Sequence, residues 1–255
     1  MVTIGLPVYN GERWLKEAIN SVLAQTYEDW ELIVTIDELG VRSEELGAWL
    51  SEELGNKDER IRIIADGVHR GISARINQQV ALARGEYFAR MDADDVMMPT
   101  RLDKQVALLN EHPETELVSC SAIIIDELGE KLGERSEGII HPSVMGRIGW
   151  FRQNPYNEEY SGVEDYELWL RVKNTVNIAH INEPLMYYRE RTHYNLQKVW
   201  HERMLGIRMI WQERHLYGSI WRALLQVLNN IMVMVTVPVI HLLHLDRWVI
   251  LRRNA

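Results

Sequence analysis

Short apolar runs alternate with segments of helical periodicity along the first hundred residues. In the segment 12–25, for example, Leu15, Ile19 and Val22 recur at spacings of four and three residues, which places them on one face of a helix. Strands and helices that alternate in this way are typical of βα units on a mostly parallel sheet, so we predict an α/β fold. The predicted strands cover 2–7, 31–36, 61–65 and 87–91, and the predicted helices cover 12–25, 44–54 and 72–83.

The pattern continues beyond residue 100 with further elements. Thr100, followed three residues later by Asp103, resembles a capping box, so we expect a helix to begin there and to end at His112. The segment 146–162 is rich in aromatic and polar residues and is longer than ordinary connections, so we predict an irregular loop suited to ligand binding. The remaining elements are predicted as strands at 116–125 and 131–135 and a helix that begins at Glu164.

A change of composition near Leu205 divides the chain into two regions. The α/β pattern occupies residues 1–204, whereas residues 205–255 form long apolar helical stretches with several tryptophans. The chain is long enough for one such domain with a helical appendage. We therefore predict an α/β domain at 1–204 and a helical region at 205–255.

Bulk composition narrows the classes of partner. Hydrophobic residues make up 46% and charged residues 25% of the chain, as in ordinary globular proteins. The net charge of −9 argues against nucleic-acid binding, which needs a surplus of basic residues. The single cysteine, Cys120, lies in an apolar stretch and is expected to be a reduced core thiol. Because the first residues read as a strand and not as a signal peptide, we expect a cytoplasmic protein.

Three carboxylates directly follow the predicted strand 87–91. Asp92, Asp94 and Asp95 would lie where an open α/β sheet binds its ligands, at the carboxyl ends of the strands. Carboxylates this close repel one another unless a cation lies among them, and a divalent ion with oxygen ligands could also bridge an anionic diphosphate. The alternative is a solvated acidic loop.

Two further stretches carry candidate chemistry. Glu164 and Asp165 begin a predicted helix, whose positive dipole end favours an ionised carboxylate that can accept a proton. The stretch 7–12, Pro-Val-Tyr-Asn-Gly-Glu, joins the first strand to the first helix and could present backbone N–H groups and an aromatic ring to a nucleotide. Both also have ordinary interpretations, since acidic residues are common in first turns and Asn-Gly is a turn sequence.

Taken in order, these stretches resemble the family 2 glycosyltransferases of the GT-A fold, over residues 2 to 190. The resemblance implies a Rossmann-like, mixed and mostly parallel sheet flanked by helices. It also implies inverting transfer of a sugar from a nucleoside-diphosphate donor. The matching stretches are Pro7–Glu12, Gln25–Tyr27, Trp30–Ile33, Ala83–Tyr87, Ala89–Asp95, His141–Met145 and Glu164–Arg171.

The resemblance assigns roles to the acidic residues. Asp92-Ala93-Asp94 matches the DxD motif, in which the last carboxylate binds Mn²⁺ or Mg²⁺ and the first lies near the donor ribose. Asp165 matches the catalytic base. His193 could reach the diphosphate or complete the metal shell, as a histidine does in some relatives, or it could be an ordinary histidine.

The nucleotide side of the resemblance is less complete. Pro7 and Tyr9 match residues that line the base pocket, Glu12 belongs to the same donor-binding stretch, and Asp37 falls where the family has an aspartate that contacts the base. The family's adjacent aspartates followed by Gly-Ser are here replaced by the sequence Asp-Glu-Leu-Gly at 37–40. The 145–156 stretch is also about one residue short and lacks a Gly-Gly pair, which changes the acceptor side.

The predicted reaction is transfer of a hexose or N-acetylhexosamine, most simply from a UDP-sugar, to a glycan or lipid-linked acceptor hydroxyl. This reaction would serve polysaccharide, glycan or glycolipid biosynthesis. One alternative is a nucleotidyltransferase, which would be expected to carry a basic, Gly-rich phosphate loop that 7–12 lacks. The other is a catalytically altered, membrane-docked scaffold of the same fold. A glycoside hydrolase is disfavoured because it has no use for a nucleotide pocket.

The last apolar stretch, 231–245, bears on membrane attachment. It is shorter than the roughly 20 residues of a spanning helix, and we expect Asn229 and Asn230 to prevent its extension backward. An amphipathic helix lying on the inner membrane surface, flanked by Arg247, Arg252 and Arg253, fits this pattern. The alternatives are a homodimer or intramolecular packing face, and a single membrane span.

Overall fold

A computed structural model describes residues 1–39, 41–55 and 58–254, so Gly40 lies outside the described residues. Over these residues the chain forms a central sheet with helices packed around it. The strands are β1 (Val2–Val8), β2 (Trp30–Ile36), β3 (Ile61–Ile64), β4 (Tyr87–Arg90), β5 (Val96–Met97), β6 (Leu117–Ile125), β7 (Lys131–Arg135), β8 (Met145–Arg147) and β9 (Ile178–Arg189). The α-helices are α1 (Glu12–Leu23), α2 (Val41–Leu50), α3 (Ile72–Leu82), α4 (Arg101–Glu111), α5 (Ile148–Gln153), α6 (Glu164–Val172), α7 (Leu196–Gln212), α8 (Ile220–Leu242) and α9 (Asp246–Asn254).

The described strands join in one mixed sheet. Their order is β3-β2-β1-β4-β8-β6-β9-β5, and β7 pairs with β6. The pairs β1–β2, β1–β4 and β2–β3 are parallel, as is β6–β9, whereas β8 runs antiparallel to both β4 and β6. The predicted α/β fold with a mixed sheet and flanking helices is therefore confirmed.

The first half of the sheet follows directly from its apolar sequence. Every residue of β1 and β2 is buried, as expected for parallel strands covered on both faces. Helix α1 buries Leu15, Ile19 and Val22 against this sheet, which confirms the predicted apolar stripe. The carboxyl ends of β1, β2 and β4 consequently lie at one edge of the sheet.

The predicted capping box at the start of α4 is wrong. The helix does begin directly after Thr100, but the Thr100 side chain makes no capping hydrogen bond. Asp103, the expected reciprocal partner, instead accepts a hydrogen bond from the Thr26 hydroxyl of a different segment. A tertiary contact has replaced the local one because the end of α1 packs beside the start of α4.

The prediction of an irregular loop at 146–162 is also wrong. This segment contains most of β8, the short helix α5 and a 3₁₀ turn at Glu158–Tyr160. Its aromatic residues Trp150, Phe151, Tyr156 and Tyr160 are buried, and Phe151 packs edge-on against Phe88 of β4 with ring centroids 5.1 Å apart. The aromatic residues therefore form core and do not line an open loop.

The C-terminal helices differ from the sequence prediction in one respect. Asn229 and Asn230 do not interrupt the apolar segment, because α8 runs without a break from Ile220 to Leu242 and is long and apolar enough to cross a membrane. Asn230 is buried, and its amide donates to the Gln226 carbonyl one turn earlier at 2.9 Å. The boundary predicted at 204/205 falls within α7, so the change of composition there is not a break in the structure.

Candidate active site

The edge shared by β1, β2 and β4 carries a cavity of about 420 Å³, which we call the edge cavity. The chain delivers residues to it directly after each of these strands, as expected for a ligand site in an open α/β sheet. Six of the predicted site residues line it together: Pro7, Tyr9, Asp37, Asp92, Ala93 and Asp94.

Burial and mutual repulsion shift the protonation of the carboxylates after β4. Burial, together with the negative charge of Asp92, raises the pKa of Asp94 to about 6. The fully buried Asp95 has its pKa raised further, because burial and the nearby Asp94 and Asp92 all disfavour its charged form. The charged forms of Asp94 and Asp95 are therefore both disfavoured in this loop.

Buried arginines fix the backbone of this carboxylate loop. Arg189, at the end of β9, donates from Nε to the Asp94 carbonyl at 2.8 Å and from its backbone N–H to the Asp95 carboxylate at 2.9 Å. Arg90 donates from Nη2 to Asp92 Oδ1 at 2.8 Å. Arg101 donates from Nη2 to the Arg90 carbonyl at 2.9 Å. Sequence reasoning gave these residues no role, because an isolated arginine in a sequence carries no sign of burial.

Asp37 supports the wall of the edge cavity from below. It is buried, and its carboxylate accepts hydrogen bonds from the backbone N–H groups of Arg70 and Gly71 at 2.7 and 3.0 Å and from Arg75 Nε at 2.9 Å. Arg75 is fully buried and also bonds Asp66, which holds the pKa of that carboxyl well below its usual range. The aspartate therefore orders the 69–71 turn.

Three lining residues of the edge cavity carry features that the sequence prediction left out. His69 lies beside Tyr9, with ring centroids 4.9 Å apart, so two aromatic rings border one side of the cavity. Arg191 and Lys198 follow β9 in the sequence, and both bring positive charge to the cavity. The only sequence sign of the two cations is that Arg191 and Lys198 flank His193.

Asp165 lies close to the edge cavity but does not line it. It lines a second cavity of about 200 Å³, the base cavity, together with Arg90, Asp92 and Tyr188. Burial raises the pKa of Asp165, and its Oδ1 accepts a hydrogen bond from the Tyr166 N–H at 2.7 Å. Asp92 borders both cavities, so the DxD stretch and the predicted base are neighbours.

Glu164, the residue before the predicted base, is also perturbed. Burial, followed by the charge of Asp165, raises the pKa of Glu164 to about 7. Its Oε2 accepts a hydrogen bond from the Gly162 N–H at 2.6 Å, and both residues line the edge cavity. The two adjacent carboxyls of α6 thus line the base cavity together, and Glu164 also lines the edge cavity.

The two remaining predicted site residues lie farther from this centre. Glu12 does not line the edge cavity, and its carboxylate forms an ion pair with Arg42 at 2.6 Å on the surface. His193 lines a cavity of about 350 Å³ that also includes Asp92 and Asp94. Its side chain is 75% exposed, and Nδ1 is 3.8 Å from the Asp246 carboxylate. The structure places His193, but not Glu12, near the DxD stretch.

Comparison with known proteins shows the family of this chain. The sequence profile of "Glycosyl transferase family 2" matches residues 3–172, which is most of the chain. The chain belongs to glycosyl transferase family 2. It is a glycosyltransferase, and the predicted membership is confirmed.

Relatives of this family 2 glycosyltransferase come from bacteria and archaea. The uncharacterized glycosyltransferase MJ1057 of Methanocaldococcus jannaschii is 30% identical over 207 residues, which cover 74% of this chain and 70% of that protein. The enzyme WfgD of Escherichia coli is 25% identical over 198 residues, covering 71% and 73% of the two chains. WfgD is named as a UDP-Glc:alpha-D-GlcNAc-diphosphoundecaprenol beta-1,3-glucosyltransferase.

The fold has solved counterparts. The 1–349 portion of S. aureus TarS in complex with UDP-GlcNAc superposes with a TM-score of 0.62 at 15% identity, covering 90% of this chain and 72% of that one. The complex of the same portion with UDP gives a TM-score of 0.59 at 16% identity, covering 89% and 70%. At this identity the likeness concerns the fold, and it confirms the GT-A architecture.

The raised pKa of Asp94 predicts a dependence of stability on pH. A folded-state pKa above the ordinary value means that the folded protein holds this proton more tightly than the unfolded chain. The free energy of unfolding should therefore fall as pH rises between about 4 and about 6. Asp94→Asn should remove up to about 3 kcal/mol of this fall. Urea unfolding in the presence of a chelator measures it.

Glu164→Gln provides a second test by the same measurement. It should flatten the same profile in a window that extends to about pH 7, because the pKa of Glu164 is raised to about 7. Parallel pH profiles for the wild type and Asp94→Asn would contradict the burial of a repelled carboxyl at this edge of the sheet.

Proposed function

We propose that this chain transfers a hexose or N-acetylhexosamine, with inversion, from a UDP-sugar to an acceptor hydroxyl in glycan, polysaccharide or glycolipid biosynthesis. One observation carries the proposal: Asp92 borders both the edge cavity, with Tyr9 and Asp37, and the base cavity, with Asp165. A donor in the first cavity would present its sugar toward a base in the second.

Several contacts of the edge cavity suit a uridine nucleotide. The rings of Tyr9 and His69 offer an aromatic surface for a base, and Asp37 holds the backbone turn beside them. Arg191 and Lys198 supply positive charge for a diphosphate in an otherwise acidic protein. The TarS complexes with UDP and UDP-GlcNAc and the UDP-Glc of the WfgD name support the same donor class.

Asp94 and Asp92 would hold Mn²⁺ or Mg²⁺ beside the diphosphate. The described residues contain no group of three or more metal-ligating side chains, so the protein alone would supply few ligands. This fits an ion that is bound through one or two carboxylates and completes its shell with water and phosphate oxygens. Burial and the neighbouring Asp92 disfavour the charged form of Asp94, and a divalent ion would favour it. When bound, the ion would neutralise charge on the departing diphosphate. His193 lines one cavity with both carboxylates and is the candidate for a further ligand.

Asp165 would accept the proton of the attacking hydroxyl. The pKa of Asp165 is raised toward neutral pH, where a general base works best. The helix N-terminus and Arg90 favour its ionised form. Attack from the Asp165 side, opposite the diphosphate, would invert the configuration at the sugar carbon. Arg90 bonds Asp92 and would hold it in a fixed position relative to Asp165.

Helix α8 supports a location at a membrane surface. Its outward residues are exposed and apolar over the whole length of the helix, whereas Ala223, Met234 and Val237 on the other side are buried. Because α8 packs one face on the protein, an orientation along the membrane surface is favoured over a free span. The exposed apolar residues are Ile220, Trp221, Leu225, Leu228, Ile231, Met232, Val235, Val239 and Leu242, and we call them the outward face of α8.

Charge supports an anionic lipid surface as the proposed partner of this outward face. The segment 214–255 contains five arginines and one acidic residue, although the whole chain carries a net charge of −9. The acidic residue, Asp246, is buried and bonds His241 at 2.6 Å. Trp211, Trp221 and Trp248 are at least half exposed, as is typical of residues at membrane interfaces. Basic and aromatic residues beside an apolar face fit an anionic leaflet.

Substitution of the base tests the reaction. Asp165→Asn should lower turnover by about 10²–10⁴, because the amide cannot accept the proton, while the variant still binds UDP. The measurement is release of UDP from a UDP-sugar, with thermal stabilisation by UDP as the binding readout. Asp103→Asn, which also removes a first-turn carboxylate but lies outside the cavities, should retain full turnover. Near-normal turnover of Asp165→Asn would refute the assignment.

Removal of the metal site tests donor binding. In the wild type, Mn²⁺ should increase the thermal stabilisation by one class in a panel of UDP-, GDP- and dTDP-sugars, and a chelator should reverse the effect. Asp94→Ala should abolish the dependence on Mn²⁺ but keep the folded far-UV spectrum. Equal stabilisation with and without chelator would contradict the metal, and preference for GDP- or dTDP-sugars would contradict the uridine donor.

Substitution on α8 tests membrane attachment. Leu228→Glu should reduce co-sedimentation with vesicles of phosphatidylcholine and phosphatidylglycerol by about tenfold or more, because a buried leucine side chain contributes about 1.5–3 kcal/mol. Thr236→Glu, on the exposed polar side of the same helix, should have a smaller effect. Wild-type protein that ignores these vesicles but forms a dimer, which Leu228→Glu dissociates, would show that the outward face binds a second copy instead.

A further inference from the structure

A third cavity, of about 460 Å³, opens on the other side of Asp165, and we call it the helical cavity. It lies between α6 and the pair of helices α7 and α8. It shares Gly162 and Glu202 with the edge cavity but includes none of Tyr9, Asp37 and Asp94. Its volume is in the usual range for small-molecule sites. Its polar lining includes Asp165 and Tyr166 of α6, Glu202 and Arg203 of α7, and Gln226 and Asn229 of α8.

The polar lining is unexpected for the element that supplies it. Helix α8 is apolar over most of its length, yet Gln226, Asn229 and Asn230 fall within little more than one turn and all line this cavity. Asn230 is occupied, since its Oδ1 accepts from Arg203 Nη1 at 3.4 Å. The side chains of Gln226 and Asn229 are exposed, and within the described part of the chain they form no hydrogen bond. Their amides are available to a ligand.

Arg203 is a second polar group with unused capacity. It lines the cavity, and its buried Nε has no hydrogen-bond partner among the residues that the structure describes. A buried donor without a partner is costly, so a ligand that accepts a hydrogen bond there would be favoured. Gly206, one turn later on α7, also lines the cavity, and the Asn230 side chain lies 3.4 Å from where a Cβ of residue 206 would be.

The chemistry of these groups matches a sugar. The amides can donate and accept hydrogen bonds and the guanidinium can donate them, which suits vicinal hydroxyls, and the exposed ring of Tyr166 offers a surface for the C–H face of a pyranose. We propose that the helical cavity binds the saccharide of the acceptor and directs one of its hydroxyls to Asp165. This inference rests on the proposed function, since it assumes that Asp165 is the base.

The surroundings of Asn229 also specify what the saccharide is attached to. Leu225 and Met232 lie one helical turn on either side of Asn229, and their side chains are 65% and 63% exposed on the outward face of α8. The rim of the cavity therefore passes directly into apolar surface. A saccharide with a long hydrocarbon aglycone would place its polar part in the cavity and its chain along α8.

Donor hydrolysis provides the assay. The full chain is incubated with Mn²⁺ and the UDP-sugar that stabilises it most, and UDP release is followed as methyl or octyl glycosides of glucose, galactose and N-acetylglucosamine are added. A glycoside in the helical cavity must either become glycosylated or exclude water and slow hydrolysis. At least one octyl glycoside should do so, with a half-saturating concentration about tenfold below that of its methyl counterpart, which corresponds to burial of about two methylene groups.

Substitution locates the effect. The double variant Gln226→Leu, Asn229→Leu should raise the half-saturating concentration of the octyl glycoside about tenfold or more, with little change in the maximal effect. Thr236→Val, which removes a polar group from the same helix outside the cavity, should leave it unchanged. A variant that merely loses fold would lower the maximal rate and leave the half-saturating concentration where it is.

The outcomes separate the two proposals. No UDP release from any donor would contradict the proposed function itself. UDP release that is indifferent to every glycoside, or an unchanged half-saturating concentration in the double variant, would overturn the acceptor site while the proposed function stands. Equal effects of methyl and octyl glycosides would overturn the hydrocarbon aglycone.

Discussion

The structure depends on the hydrogen bonds that buried arginines make with the carboxylate loop after β4. Arg189 bonds the Asp94 carbonyl and the Asp95 carboxylate, and Arg90 bonds the side chain of Asp92. Without these cations, three acidic residues within four positions would repel one another in a site with little water. The arginines form hydrogen bonds with the Asp94 carbonyl and with the Asp92 carboxylate. The pKa of the Asp94 side chain nevertheless stays raised, to about 6.

This constraint links the two halves of the sheet. Asp94 follows the parallel half, in which β1, β2 and β4 end together, while Arg189 ends β9, which pairs with β6 and β5 in the other half. The proposed donor side and the proposed acceptor side of the site therefore meet at one loop. A shift of β9 would move Arg189 and, through its hydrogen bonds, the backbone of Asp94 and the side chain of Asp95, so the site and the sheet topology are not independent.

The helical hairpin of α7 and α8 extends this site toward a surface. One side of α8 packs on the protein, a second side is uniformly apolar, and a short polar edge between them carries Gln226 and Asn229. The buried side chain of Asn230 would destabilise an apolar helix if it had no partner. Here it forms hydrogen bonds with Arg203 and with the Gln226 carbonyl. A single helix can thus serve packing, attachment and ligand recognition because these uses fall on different sides.

The sequence by itself determined the α/β class, the bounds of the first strands and helices, and the family, because these rest on local periodicity and on short ordered motifs. It also placed Asp92, Asp94 and Asp165 near one another through motif order alone. Only the tertiary structure decided that Glu12 pairs with Arg42 outside the cavity, that Thr100 caps nothing, and that α8 continues through Asn230. Each of these outcomes depends on a partner far away in sequence, and periodicity contains no information about such a partner.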